Sequence, residues 1–189
     1  MTFERRMQER HMSAYRLSRN SEVPYMTIND LMNHKTSLTK CNAETVYKIA
    51  KALGASVEEL LEPYLRPRPS FSLFKSNVCH RLKELGDLDF LADLLEHDRI
   101  TEYYELGWYP ECLYLLAMLD YISRVNRVPP CTEYDGLRGM KLSAAIYPPG
   151  VLAADMASPG QNVKKEAWEQ AIPEFKRFNI VENEVRELV

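Results

Sequence analysis

Apolar residues recur at helical spacing along most of this chain, and short polar breaks cut the pattern into segments. Before residue 63 the pattern predicts five short helices. The first covers about Phe3–Arg10, with Phe3, Met7 and the Arg6 methylenes facing inward. The second follows Ser13, a good N-cap, runs to about Asn20 and has Leu17 as its central apolar residue. The third follows Val23-Pro24, holds Ile28 and Leu31 at i, i+3, and ends at Asn33-His34. The fourth, "NAETVYKIAKALG", is capped by Asn42, carries Val46, Ile49, Ala50 and Leu53 on one face, and stops at Gly54. The fifth, "SVEELLEP", opens with Ser56 and Glu59 in the S-x-x-E spacing of a capping box.

A dense run of proline interrupts the pattern. Residues 63–70 read as a linker, because three prolines in seven positions stop helices and stiffen the chain. Residues 1–62 and 71–189 then form two domains. The second is again helical. "FSLFKSNVCHRLKELG" puts Phe74, Val78, Leu82 and Leu85 on one stripe, and "DLDFLADLLEHD" adds Phe90, Leu91, Leu94 and Leu95. "ITEYYELG" is a short aromatic helix. "YPECLYLLAMLDYISRVN" is apolar on most sides, which predicts a central helix. "TEYDGLRGMKLSAAIYPPG" is expected to be a helix with a broken end, and "VKKEAWEQAIPEFKRFNIVENEVREL" one or two helices broken near Pro173. No alternating run is long enough to predict a strand, so the fold class is all-α.

Charge separates the two parts. Residues 1–66 hold ten Lys/Arg and eight Asp/Glu, a net of +2, whereas the rest holds 14 basic and 19 acidic residues, a net of −5. This points to different partners for the two parts. No apolar run reaches the ~18 residues of a membrane span, and "MTFERRMQERHM" has no apolar signal core, so the expectation is a cytoplasmic protein with no membrane partner. Cys41, Cys79, Cys112 and Cys131 are far apart and read as reduced thiols. They lack zinc spacing, and no metal or cofactor is expected. The acidic part contains no Gly-rich phosphate loop, no GxSxG and no HExxH, which argues against an enzyme. Asp87, Asp89, Asp93 and Glu96 read as a solvated face, and His80 and His97 show no partner in the sequence. Tyr103, Tyr104, Trp108, Tyr109, Tyr114 and Tyr121 read as core or as the wall of a binding pocket.

Two stretches in the first part go further. "MQERHMSAYRLSRNSEVPYMTINDLMNHKTSL" followed by "NAETVYKIAKALGASVEELL" resembles the Cro/lambda-repressor type of helix-turn-helix domain, the XRE family, over roughly residues 3–63. Leu17, Val23, Ile28 and Leu31 are the apolar positions that lock the second and third helices at a steep angle, so that the third projects toward a major groove. The resemblance implies two departures. Ser18 stands where the family usually has Ala, and Glu22 where it usually has Gly. A left-handed Glu22 costs roughly 1–2 kcal/mol.

The resemblance also implies a division of roles. Tyr25, Met26, Asn29 and Asp30 become candidate base readers: Asn29 for adenine, Asp30 for the cytosine amino group, Met26 and the Tyr25 ring for a thymine methyl. Tyr15, Arg16, Thr27, Asn33, Lys35, Thr36 and Lys40 become candidate phosphate contacts. The expected function is a transcriptional regulator, a repressor or autorepressor that binds double-stranded operator DNA as a homodimer. One alternative is an antitoxin whose acidic part binds a toxin. The other is a protein-interaction module that no longer reads DNA.

Overall fold

In the computed structural model, which describes residues 2–186, the chain divides into two compact units: Met1–Arg68 with Glu105–Gly107, and Pro69–Tyr104 with Trp108–Val189. Every regular element among the described residues is helical, apart from one isolated bridge between Ile146 and Ile180.

The first unit contains α1 (Phe3–Glu9), α2 (Ala14–Ser21), α3 (Tyr25–Met32), α4 (Ala43–Ala52) and α5 (Val57–Leu65), with a 3-10 turn at Leu38–Lys40. Local chemistry sets the starts of most of these helices. Ser13 accepts from the Arg16 amide and Asn42 from the Thr45 amide. Ser56 and Glu59 exchange both bonds of the capping box. Gly54, at φ +62°, lets the chain turn after α4. The core is Phe3, Met7, Leu17, Val23, Ile28, Leu31, Leu38, Val46, Ile49, Ala50, Leu53 and Leu60. It therefore includes every apolar residue expected inward for the first four helices, whereas Arg6 is half-buried and lies outside it.

One expectation at the end of this unit fails. Proline 63 was expected to end the fifth helix, yet α5 continues through Pro63 to Leu65. Pro63 is buried in the seventh position of that helix. A proline can sit there when packing on the core outweighs the lost backbone hydrogen bond.

The second unit contains α6 (Phe71–Leu85), α7 (Asp87–Glu96), all but the last residue of α8 (Arg99–Glu105), α9 (Tyr109–Val125), α10 (Pro149–Ala157), α11 (Val163–Gln170) and α12 (Pro173–Lys176), with a 3-10 turn at Thr132–Tyr134. Helix α9 is central: Glu111 through Leu119 are all buried. Tyr114 is fully buried there. Its hydroxyl donates to Glu182 at 3.3 Å, Lys75 pairs with the same carboxylate, and Phe74 and Phe175 meet the ring edge-on.

The stretch 132–150 is not the broken helix expected. After the 3-10 turn it runs irregularly to Pro148, because Gly136 and Gly139 weaken a helix and Pro148-Pro149 end one. Its backbone groups instead find distant partners. The Leu142 amide donates to the Phe178 carbonyl (3.2 Å), the Ile146 amide to the Asn179 carbonyl (2.8 Å), and the Val181 amide to the Ile146 carbonyl (2.8 Å). Arg138 anchors the stretch to Asp120 on α9, which also accepts from Arg177. The last expected helix breaks at Ala171-Ile172 as expected, but residues 177–186 are not helical; the rest of it lies outside the described residues.

The acidic residues of α7 do not form a purely solvated face. Asp93 holds Arg81 through two bonds (2.8 and 3.5 Å), and Asp87 accepts from Asn126 and Arg186. The two histidines also have acidic neighbours: His80 lies 3.8 Å from Glu84 and His97 3.5 Å from Asp93.

Candidate nucleic-acid interface

Leu17 of α2 and Ile28 of α3 are each 0 % exposed, and Val23 and Leu31 only 3 %. These four residues fix how α3 lies against α2. The turn between the helices is tied by side chains as well. Glu22 adopts the left-handed conformation expected of it (φ 56°, ψ 23°). Ser21 donates to the Leu17 carbonyl (2.7 Å) and accepts from the Val23 amide (3.3 Å). Ser18 donates to the Val23 carbonyl (2.8 Å). Ser18 and Ser21 were not among the expected functional residues. A serine beside a three-residue interhelical turn is the signal that could have marked them, since short hydroxyl side chains bond nearby backbone.

Helical rotation sorts the residues of α3. Successive side chains turn by about 100°. With Ile28 and Leu31 inward, Met26 and Asn33 point most directly outward, Asn29 and Asp30 lie beside them, and Tyr25 and Thr27 fall on the flanks. The exposures follow this order except at Tyr25, in the first turn: Met26 is 66 % and Tyr25 51 % exposed, whereas Asn29, Asp30 and Thr27 are half-buried. Thus the four expected base readers share one accessible surface. Pro24 gives α3 no side-chain cap, so the first amides of this helix keep no side-chain partner.

The expected phosphate contacts spread over three segments. Tyr15 (61 % exposed) and Arg16 sit at the start of α2, where Arg16 reaches the His11 carbonyl at 3.5 Å. Thr27 is on α3. Asn33, Lys35, Thr36 and Lys40 follow α3, with Asn33, Lys35 and Lys40 exposed and Thr36 half-buried. Two contacts modify the sequence picture. The Asn33 side chain donates to the Asn29 carbonyl (2.7 Å), closing the last turn of the helix. Lys35 lies 3.8 Å from the Asp30 carboxylate, so a candidate phosphate contact and a candidate base reader form a loose ion pair.

The same unit holds a buried acid. Glu4 accepts from the Tyr64 hydroxyl (3.1 Å), which in turn accepts from the Phe3 amide (3.0 Å), and His34 is 4.0 Å away. Burial raises the Glu4 carboxyl above its usual range, against smaller opposing effects of hydrogen bonds. The Tyr64 phenol is likewise pushed up, first by burial and then by Glu4.

No helix among the described residues is long and apolar enough to cross a membrane. No curated protein and no solved structure matches this chain. The family model for the Cro/C1-type helix-turn-helix DNA-binding domain matches residues 2–64, so the N-terminal third of the chain carries a domain of that type, which supports a DNA-binding transcription regulator in general terms.

Proposed function

We propose that this protein is a repressor or autorepressor that reads an operator with the outward face of α3. The observation that carries the proposal is the sorting of that helix: Ile28 and Leu31 are buried while Tyr25, Met26, Asn29 and Asp30 share an accessible surface. Asn29 matches adenine, Asp30 the cytosine amino group, and Met26 and Tyr25 the thymine methyl. Tyr15, Arg16, Thr27, Asn33, Lys35, Thr36 and Lys40 flank it as phosphate contacts. A net of +2 over residues 1–66 neutralises few phosphates. Two copies on half-sites about one helical turn apart supply the missing affinity, so the active form is a homodimer.

The test is binding to the DNA upstream of the protein's own gene, followed by fluorescence anisotropy across a salt series. Affinity is expected to fall steeply with salt, by a slope of about 0.9 per phosphate neutralised. Asn29→Ala should flatten the preference between operator and scrambled DNA. Lys35→Ala should weaken both alike and reduce the slope by about 1. No binding at ~50 mM salt refutes the reading and leaves a protein-interaction module.

The net of −5 beyond residue 66 favours a second reading for that part: an antitoxin segment that masks a basic toxin. Calorimetry with the product of the adjacent gene decides it. Salt-sensitive binding supports the antitoxin, and the absence of heat removes it.

A further inference from the structure

The second unit contains a cleft of about 440 Å³ among α6, α7, α8 and α9. Its floor is apolar: Phe74, Val78, Phe90, Leu94 and Leu115 are all buried. Its polar lining is Asn77, Arg81, Asp93 and Arg99. We propose that this cleft binds a small carboxylic acid with an apolar body, such as an aryl or short alkyl acid.

The volume lies in the range of small-molecule sites, roughly 300–1,000 Å³. An apolar floor with few polar groups at one side suits an amphipathic ligand better than a sugar or a nucleotide. Charge selects the head group. Asp93 is the one acid among the lining residues, and two arginines, Arg81 and Arg99, line the cleft with it. Arg81 grips it at 2.8 and 3.5 Å, and Arg99 and His97 act on it through their charge; together they hold its carboxyl below the usual range. Glu84 also acts on Arg81 but does not line the cleft. Two cations against one lining carboxylate leave room for one more monoanion. The Arg81–Asp93 pair shows the fork-to-carboxylate geometry that such a ligand would use again. Arg81 remains 43 % exposed despite that pair.

The cleft has a built-in reporter. Tyr103 lines it and stacks on Trp108, with ring centroids 5.5 Å apart and planes at 14°. The chain has two tryptophans, so Trp168→Phe leaves Trp108 as the single tryptophan, excited selectively over the tyrosines at long wavelength. In that full-length background, titration with 4-phenylbutyrate should change Trp108 emission saturably below about 1 mM. Its neutral amide should bind roughly tenfold more weakly, the size of one lost charge-assisted contact. Arg99→Gln should weaken the acid by a similar factor while leaving the amide unchanged. Asn77→Phe, at an exposed position on the cleft's edge, should block both and tests the location if Arg99→Gln fails to fold. A non-saturating response, equal binding of acid and amide, or acid binding that survives Asn77→Phe overturns the proposal.

Discussion

Glu22 makes a quantitative case, because its backbone conformation is known and its side chain is exposed. At φ 56° and ψ 23° its Cβ crowds the following carbonyl, at a cost of about 1–2 kcal/mol. Glycine removes that crowding but adds unfolded-state freedom worth about 0.5–1 kcal/mol. The net expectation for Glu22→Gly is a gain of about 0.5–1 kcal/mol in the first unit. Amide exchange of the full-length protein is the suitable assay, since it reports each unit separately. The buried amides of Leu17, Ile28 and Leu31 should exchange roughly two- to fivefold more slowly. Two controls isolate the cause. Glu22→Gln removes the charge and Glu22→Ala removes the rest of the side chain, but both keep the Cβ, so both should match the wild type. Glu22→Asn should fall between, because Asn tolerates this conformation. If Ala stabilises as much as Gly, the effect comes from the side chain. If Gly does nothing, the turn stores no strain.

Two further changes probe the same unit. Ser21→Ala removes two of the three side-chain bonds at the turn and leaves the Val23 amide without that acceptor; urea unfolding should show a loss of about 1–3 kcal/mol, and a loss near zero would mean the turn is held by packing and the Ser18 bond. Glu4 gives a pH signature: its folded carboxyl holds its proton more tightly than the unfolded one, so the first unit should lose stability as pH rises from about 4.5 through the raised value, and this slope should vanish in Glu4→Gln. An unchanged slope in that variant would assign the pH dependence to another group.

The first unit was legible in the sequence because its interactions are mostly local. Ser13, Asn42, Ser56 and Glu59 cap helices within three residues of themselves, and the apolar spacing of α4 fixes its buried face. Pro63 was misread for the opposite reason: its place in α5 depends on core packing rather than on neighbours in the chain. Residues 132–150 failed in the same way. Nothing nearby shows that Leu142 and Ile146 bond to Phe178 and Asn179, more than thirty residues downstream. The cleft between α6 and α9 was hidden too, since Arg81, Asp93 and Arg99 come together only through tertiary contacts.

At the candidate interface, sequence identified the outward residues but not how they restrain one another. Asp30 puts an acid on the surface proposed to approach DNA. The structure pairs it with Lys35 at 3.8 Å, with Asp30's side chain 32 % and Lys35's 67 % exposed. A pair that long and that open contributes about 0–1 kcal/mol, so a phosphate can draw Lys35 away at little expense. On the proposed reading, that exchange gives Asp30 its role. Once Lys35 turns to the backbone, the carboxylate faces the groove without its counter-charge. Guanine and thymine edges there offer it only acceptors and are repelled, adenine offers one donor beside an acceptor, and cytosine offers its amino donor alone. Asp30 then acts chiefly by excluding wrong sequences rather than by strengthening the right one. Non-specific affinity should therefore rise in Asp30→Asn, while discrimination at one base pair falls. A uniform change across all sequences would show that Asp30 serves only to hold Lys35.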